Sequence, residues 1–282
     1  MSANKNLSIS IIGAAGKMGF RALENLSKEA YTLYFCEKSP AGIEKIEARG
    51  FDVSPAEEVV PDSDVVVLAV PDKLIRPISA DLVPLMKADT TCILLDPAAA
   101  YLGEVELRDD CSFVVSHPCH PALFSQQDSL EALKDHFGGT LARQDIVIAL
   151  FQGKEEHFEI ARKICIQMFG RVREAYRVTV EQMALLEPAA AEVIAGSAAS
   201  VLREAKEELV RRGVPEPAAQ SFMLGHIRII LAVLFGQTGF PVSDAAKIAF
   251  EIGKEYLVKP DWKRAFDTEE LRKTVQRMIH PE

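Results

Sequence analysis

Two histidines and two prolines lie together at residues 117–121, which read His-Pro-Cys-His-Pro. An imidazole titrates near neutrality, so a histidine can accept the proton of an alcohol while that alcohol is oxidised. The prolines restrict the backbone and reduce the entropy lost in holding the rings. His117 is therefore a candidate general base, and His120 a candidate base or metal ligand. A stiff loop with solvated histidines is the alternative. Cys119 is interpreted as a packing residue, because further ligands at zinc spacing are missing from the sequence.

A second candidate is Glu187, which precedes Pro188 on a long predicted helix. At about 100° per residue, its face of that helix is otherwise apolar. The residues on this face are Val180, Met183, Ala184, Ala190, Ala191, Ile194, Ala198, Val201 and Leu202. A carboxylate facing a core costs free energy unless it binds a cation or a hydrogen-bond donor. Glu187 is thus predicted to be functional, with a structural carboxylate satisfied by an arginine as the alternative. His226, alone on another apolar helix, is either a core residue or a further ligand.

A glycine-rich turn near the N-terminus suggests a dinucleotide site. An apolar run ends at Gly13, and Gly16 and Gly19 follow before a helical pattern begins. Glycines let the backbone approach a pyrophosphate closely, and the N–H groups at the start of the helix attract its charge. The cofactor-binding residues predicted here are Gly13, Ala15, Gly16, Lys17 and Met18.

Two further strand ends are predicted to contact the cofactor. Glu37 ends the second predicted strand, about 20 residues after the glycines, where a carboxylate suits the adenosine ribose and repels a 2′-phosphate. NAD is therefore expected rather than NADP, although Lys38 weakens this preference. Another predicted strand ends in Val70, Pro71 and Asp72, which are expected to face the same crevice.

Strand and helix patterns alternate along the first part of the chain, which predicts an α/β fold with a Rossmann-type, doubly wound parallel sheet. The predicted strands are residues 7–12, 31–36, 64–70, 91–95, 112–116, 144–151 and 173–179. Ligands of such sheets bind beyond the carboxyl ends of the strands, where Glu37, Pro71, Asp96 and His117 fall.

Helical patterns dominate from residue 180, over residues 180–212, 216–235 and 242–256, with a short tail after Trp262. The predicted organisation is a dinucleotide-binding domain of residues 1–179, followed by an all-helical substrate and dimerisation domain of residues 180–282.

Composition limits the classes of partner. The formal net charge is −9, and no basic block occurs, which argues against nucleic acid and anionic membranes. The apolar run of residues 229–235 is too short to span a bilayer, and residues 1–6 lack a signal-peptide pattern. The odd number of cysteines, 5, suggests reduced thiols. A cytoplasmic protein without nucleic-acid or membrane partners is expected.

These features together resemble the superfamily of 6-phosphogluconate and prephenate dehydrogenases. The sequence is more closely similar to the D-apionate oxidoisomerase family, and the similarity extends nearly from end to end. The motifs that carry it are Gly-Ala-Ala-Gly-Lys-Met-Gly at residues 13–19, Asp-Pro-Ala-Ala at 96–99, the paired histidines at 117–121, Val-Thr-Val-Glu-Gln-Met at 178–183, Leu-Glu-Pro at 186–188 and Asp-Trp-Lys at 261–263.

The resemblance implies a two-step reaction. NAD would oxidise D-apionate, a branched sugar acid, at its 2-hydroxyl, and a hydroxymethyl shift would then give 3-oxo-isoapionate. The shift is similar to the acyloin migration of ketol-acid reductoisomerases, which need a divalent metal, so a cation such as Mg²⁺ is expected. His117 would be the base, while His120, Glu187 and the weaker candidate His226 would hold the cation or the substrate. The Asp-x-x-x-Glu metal pair of ketol-acid reductoisomerases is missing, which leaves the ligands open.

The family also implies a homodimer, and the apolar run at residues 227–235 agrees with one. Two alternatives remain: a prephenate dehydrogenase-like or other hydroxyacid dehydrogenase that catalyses no rearrangement, and a non-catalytic dinucleotide sensor. A sensor would need neither the paired histidines nor the carboxylate on an apolar helix.

Overall fold

A seven-stranded sheet forms the centre of the computed structural model, which describes residues 6–281. The strands lie in the order β2-β1-β3-β4-β5-β6-β7. Their bounds are β1 Ser8–Ile12, β2 Thr32–Cys36, β3 Val65–Leu68, β4 Thr91–Leu94, β5 Ser112–Pro118, β6 Gln144–Gln152 and β7 Val172–Arg177. Every residue of β3 and β4 is buried, as expected for apolar strands covered on both faces. The predicted Rossmann-type sheet is therefore confirmed.

One strand pair departs from the predicted parallel order. β6 runs antiparallel to β5, with His117 opposite Val147 and Pro118 opposite Ile146. The connecting residues 119–143 contain only the 3₁₀ turn Ala132–Lys134, so no crossover helix returns the chain to the starting edge. Pairing with β6 also extends β5 to Pro118, beyond the predicted end at residue 116. His117 is consequently held inside the sheet.

Seven helices accompany the sheet up to residue 184: α1 Lys17–Leu26, α2 Pro40–Glu47, α3 Ala56–Val59, α4 Asp72–Leu82, α5 Ala98–Leu102, α6 Glu155–Phe169 and α7 Val180–Ala184. Short 3₁₀ segments at Val60–Asp62 and Val83–Leu85 extend α3 and α4. The helices α1 and α6 pack together and bury apolar side chains such as Leu23 and Phe158 in the main core.

The chain divides into two compact units. The first contains the residues up to Ala184 and those from Arg272 onward, and the second is Leu185–Leu271. The predicted boundary at residue 179 lies just before α7. The second unit contains a π-helix at Leu185–Gly196, α8 Ser197–Arg211, α9 Glu216–Leu234, α10 Asp244–Leu257 and a 3₁₀ turn at Trp262–Phe266. The last helix, α11 Thr268–Ile279, begins in the second unit and continues in the first.

A π-helix replaces part of the α-helix predicted for residues 180–212. Pro188 lies inside it, where proline has no N–H to donate and its ring crowds the carbonyl of Ala184. A wider turn relieves that conflict. The helical face deduced for Glu187 at α-helical spacing therefore does not continue past the start of the π-helix.

The sequence also predicted that the helical face of Glu187 would be buried along its whole length, which was wrong for most residues after Ala190. Ala191, Ala198, Val201 and Leu202 are exposed, and α8 buries no side chain at all. The helices of this unit cover little of their own apolar surface. Val180–Arg211 and Glu216–Leu234 are long and apolar enough to cross a membrane by length and composition alone, which the apolar run at residues 229–235 did not suggest. Helices of soluble proteins meet the same criterion, so this observation is weak evidence for a membrane segment.

The predicted C-terminal tail is a helix that returns to the first unit. In α11, Val275 and Ile279 are buried, and the Arg272 guanidinium donates to the Leu102 carbonyl at 3.1 Å. His280 lies 2.8 Å from a carboxylate oxygen of Glu104. These contacts fix the end of the chain against the segment after α5, which the sequence pattern alone did not reveal.

Candidate active site

The turn between β1 and α1 has the close backbone packing that a dinucleotide site needs. Gly13 has a φ of +79°, and a Cβ placed there would lie 2.6 Å from the Ala69 carbonyl oxygen. A Cβ on Gly19 would lie 2.2 Å from the Gly13 carbonyl oxygen. Side chains are excluded at both positions, so the turn leaves the first N–H groups of α1 open to a pyrophosphate. These residues fit a dinucleotide.

A cavity of about 640 Å³ lies beside this turn, within the usual size range for small-molecule sites. Its wall includes five of the predicted cofactor-binding residues, namely Gly13, Gly16, Glu37, Val70 and Pro71. Ala15, Lys17, Met18 and Asp72 are next to these in sequence but do not line the cavity. The sequence prediction missed the wall formed by residues 53–57 and by α4, because neither segment carries a recognisable motif.

Glu37 is fixed at the end of β2 by donors from its own loop. Its Oε1 accepts hydrogen bonds from Ser39 N and Oγ, both at 2.9 Å, and from Lys38 N at 3.0 Å. Ala15 N donates to Oε2 at 3.3 Å. Burial raises the pKa of Glu37, but these hydrogen bonds outweigh it and lower that pKa below its usual value. An ionised carboxylate therefore faces the cavity.

The charge around this cavity is mainly acidic. Glu47, Glu57 and Asp81 line it as well as Glu37. Lys38 also lines the cavity, and its ammonium lies 3.4 Å from Glu57, which partly neutralises it. An additional phosphate on the adenosine ribose would meet this acidic wall, so the electrostatics favour NAD over NADP.

His117 is oriented at the end of β5 by the neighbouring strand. Its Nδ1 lies 2.9 Å from the Leu95 carbonyl and 3.8 Å from a carboxylate oxygen of Asp96. A carbonyl can only accept, so Nδ1 carries the proton and Nε2 has the lone pair of the neutral ring. Burial raises the pKa of Asp96, while the hydrogen bond from Ala98 N and the nearby His117 oppose that increase. The sequence placed Asp96 at a strand end but assigned it no role.

His120 has a strained backbone and a well-defined ring. Its φ is +59°, in the left-handed region that residues other than glycine seldom adopt. Nδ1 donates to the Phe137 carbonyl at 2.9 Å, which again leaves Nε2 as the acceptor. Burial lowers the pKa of His120; the Phe137 carbonyl opposes this, and His117, Arg21 and Lys17 lower it further. His120 is therefore mainly neutral near pH 7.

The two imidazoles are neighbours, with ring centroids 6.3 Å apart and planes nearly perpendicular. Asp96 and His117 also offer a carboxylate oxygen and a ring nitrogen within 4.8 Å of each other. Oxygen and imidazole nitrogen donors both occur in divalent metal sites, so this pair fits part of a cation site. The structure thus brings His117, His120 and Asp96 together at one end of β4 and β5.

The other two predicted site residues lie in the second unit. Glu187 is half-buried in the π-helix, one turn beyond the buried Ala184. His226 is on α9 with an exposed side chain, where its ring stacks on Phe222 at 3.9 Å and its Nδ1 donates to the Phe222 carbonyl. Their roles in metal binding stay predictions.

Two sequence profiles match the chain. The family described as "NADP oxidoreductase coenzyme F420-dependent" matches residues 8–99, and that described as "Phosphogluconate dehydrogenase (decarboxylating) C-term" matches residues 125–279. The first covers the glycine turn and cofactor cavity. The second covers more than half of the chain, including the second unit.

Related proteins are similar over nearly the whole length. A D-apionate oxidoisomerase from Blautia hydrogenotrophica is 45% identical over 278 residues, which are 97% of this chain and 97% of the relative. Another from Pectobacterium atrosepticum is 42% identical, over 96% of this chain and 95% of its own. A crystal structure of a "semialdehyde dehydrogenase NAD-binding protein" from Cupriavidus necator, in complex with calcium and NAD, has 40% identity and a TM-score of 0.94, and covers 97% of this chain and 99% of its own.

This level of identity extends over both units. The glycine turn and the paired histidines also lie where the sequence motifs placed them. The chain is an NAD-binding oxidoreductase and belongs to the D-apionate oxidoisomerase family.

Proposed function

We propose that this protein converts D-apionate into 3-oxo-isoapionate with NAD as the oxidant. The observation that carries the proposal is 45% identity to a D-apionate oxidoisomerase over 97% of both chains. The first unit supplies what the chemistry requires, since it has a dinucleotide cavity and two imidazoles at the carboxyl end of β5. NAD rather than NADP is proposed on the acidic lining of that cavity.

In the oxidation, the C2 carbon of the acid loses a hydride and its hydroxyl group loses a proton. The nicotinamide, when bound, is the hydride acceptor. We assign the proton to Nε2 of His120, which is mainly neutral and has its Nδ1 held by Phe137. The sequence alone favoured His117 as the base. We assign His117 to the cation instead, because its ring lies beside the Asp96 carboxylate.

In the rearrangement, the hydroxymethyl group moves with its bonding electrons from C3 to C2. The C3 hydroxyl loses a proton and becomes a carbonyl, while the former C2 carbonyl oxygen gains a proton, so no net oxidation occurs. Once the proton gained in the oxidation has passed to solvent, His120 can take the proton of the C3 hydroxyl and return it to the former C2 carbonyl oxygen. Asp96 and His117 would hold a divalent cation, which polarises a ketone and stabilises an alkoxide when present. The calcium in the Cupriavidus necator relative supports a cation site in this chain as well.

The decisive experiment incubates the protein with D-apionate and NAD, with Mg²⁺, with Ca²⁺ or with a chelator, and follows NADH and product structure together. We expect NADH and a rearranged 3-oxo product with cation, and loss of the rearrangement on chelation. An unrearranged 2-oxo acid would instead indicate a simple dehydrogenase. Absence of NADH with any hydroxy acid, despite tight cofactor binding, would indicate a dinucleotide sensor.

We further propose that the second unit forms a homodimer. Phe222, Phe235, Tyr256 and Leu257 have 64%, 71%, 83% and 68% of their surface exposed. Apolar area of this extent marks an interaction surface. Charged residues interleave with it along α8 and α10, including Glu207 and Lys254, which suits contact with a second amphipathic protein surface better than immersion in lipid. A second copy of the chain is the occupant we propose.

A cytoplasmic location stays a prediction. The relatives that the chain resembles are dehydrogenase-like enzymes, and a dimer would cover the apolar helices without a membrane. Fractionation of expressing cells would test it, with recovery in the membrane fraction as the contrary result.

A further inference from the structure

Two cations of α1 share a single aromatic ring. The Lys17 ammonium lies 3.3 Å from the centroid of the Phe137 ring, and the Arg21 guanidinium carbon lies 4.2 Å from it. The two side chains are one helical turn apart, so both project from the same face of α1. Among the ion pairs formed by residues 6–281, none joins either cation to a carboxylate.

A second pair of cations also shares one aromatic ring, but one of its members forms an ion pair. Lys45 and Arg49, again one turn apart, lie 4.0 Å and 5.1 Å from the Phe20 ring centroid. There Arg49 Nη1 donates to Glu24 Oε1 at 2.7 Å, which compensates its charge. Among the described residues no carboxylate pairs directly with Lys17 or Arg21, and Glu24 and Asp135 act on Arg21 only through space, in a chain whose formal net charge is −9.

The carboxylate of Asp135, which also acts on Arg21, is held by its own loop. Asp135 accepts hydrogen bonds from four backbone N–H groups of its own loop, those of Gly138, Thr140, Leu141 and Ala142. It therefore folds the loop that carries Phe137, and it acts on Arg21 only through space. Asp135 therefore forms no direct ion pair with Lys17 or Arg21.

His120 lies beside this group. Its ring centroid lies 4.8 Å from that of Phe137, and its Nδ1 donates to the Phe137 carbonyl. Lys17 is exposed, and both Arg21 and His120 are partly exposed, so a ligand can reach all three. We propose that Lys17 and Arg21 form an oxyanion subsite around Phe137, beside His120, which binds the carboxylate of the acid substrate.

This placement would explain how the acid is oriented. The carbon to be oxidised is directly bonded to the carboxylate carbon, so an acid held at Lys17 and Arg21 brings its 2-hydroxyl close to His120. The assignment of this subsite to the substrate's carboxylate rests on the proposed function. A phosphate of the dinucleotide has the same oxyanion chemistry, since the start of α1 belongs to the cofactor turn. The experiment must therefore separate the two sources.

The test compares Lys17→Met and Arg21→Met with Arg49→Met, which alters the compensated group on Phe20. Calorimetry measures NADH binding to each protein alone, then D-apionate or D-glycerate binding to each NADH complex. We expect Lys17→Met and Arg21→Met each to weaken acid binding about tenfold or more and to leave NADH binding unchanged. Arg49→Met should bind both ligands as the wild-type protein does. Melting temperatures show whether Arg21→Met remains folded, and Lys17→Met, altered at an exposed position, keeps the test valid if it does not.

Each other result has a definite meaning. A loss confined to NADH binding would assign the subsite to a cofactor phosphate and overturn the carboxylate assignment. Unchanged binding of both ligands would overturn the subsite itself. If the wild-type protein binds D-glycerate through Lys17 and Arg21 but does not turn over D-apionate, the proposed substrate fails while the subsite stands.

Discussion

At the scale of single residues, the site consists of two imidazoles whose Nδ1 atoms are both held by backbone carbonyls. This arrangement leaves two Nε2 atoms able to accept a proton or bind a cation, and the neighbours of each ring decide between these tasks. Asp96 lies beside His117, whereas Lys17 and Arg21 lie near His120. A carboxylate favours a cation at the first ring, and positive neighbours favour a neutral base at the second.

Replacing His120 by glutamine should remove the base and keep most of the shape. We expect kcat to fall about 10²- to 10⁴-fold, because that is the usual contribution of a positioned acid–base group. NADH affinity should not change, since His120 does not line the cofactor cavity. Steady-state kinetics and fluorescence titration would measure the two effects. His136→Gln, at an exposed position, is the matched control, and an unaffected kcat in His120→Gln would return the base to His117.

The predicted role of Glu187 is tested by Glu187→Gln, which keeps the shape of the side chain and removes its charge. If this carboxylate helps to hold the cation, rearrangement and dependence on divalent metal should both be lost while NADH binding persists. Product analysis at increasing Mg²⁺ concentration gives the answer. Glu192→Gln, in the same π-helix, is the control. A normal product with an unchanged Mg²⁺ requirement would exclude Glu187 as a ligand.

At the scale of elements, strand ends and short loops position these residues. The sequence predicted the strands, their carboxyl ends and the glycine turn, because buried parallel strands and close backbone approach leave strong local patterns. It did not predict that β6 would pair antiparallel with β5, or that Phe137 would reach His120. Both depend on the path of residues 119–143, where no periodic pattern specifies a tertiary contact. The π-helix was missed for a related reason: Pro188 signals a disturbed helix without specifying its form.

Close packing of α2 against the cofactor loop gives an element-scale prediction. A Cβ on Gly42 would lie 2.6 Å from both Glu37 Cγ and Ser39 Oγ. Gly42→Ala should therefore displace Glu37, weaken NADH binding about tenfold and reduce the preference for NADH over NADPH. Fluorescence titration with both cofactors measures this. Gly253→Ala, in a helix with nothing within 4 Å of the added atom, should have no effect on cofactor binding. Equal affinities in Gly42→Ala and wild type would show that Glu37 does not anchor the cofactor.

The loop built on Asp135 gives a pH-dependent prediction. Burial raises the pKa of Asp135, but its four backbone hydrogen bonds outweigh this and lower it. A carboxylate with a lowered folded-state pKa stabilises the fold above its unfolded pKa of about 3.9, and that stabilisation disappears as pH falls through the folded value. Asp135→Asn should reduce the free energy of unfolding by about 1 kcal/mol at pH 7. Urea unfolding at several pH values should show the difference shrinking below about pH 4, and a constant difference would contradict the assignment.

At the scale of the whole molecule, the two units differ in how completely they bury their own apolar side chains. The first buries its strands almost completely, whereas α8 and α10 bury no side chain. The sequence predicted amphipathic and apolar helices here, but a pattern of apolar residues does not tell whether they are covered by the same chain or by another. This is why the predicted core face of the helix after Glu187 proved to be exposed.

A dimer formed through the second unit should make stability depend on concentration. Because dissociation accompanies unfolding, the melting temperature should rise as protein concentration is increased over two decades. Phe235→Asp would place a charge in the proposed interface, and it should yield monomers in sedimentation experiments and remove the concentration dependence. Leu130→Asp alters a residue of the first unit that is 73% exposed, and it should leave the dimer intact. A wild-type chain that sediments as a monomer and melts at one temperature at all concentrations would refute the dimer, and the apolar helices would then require a different partner.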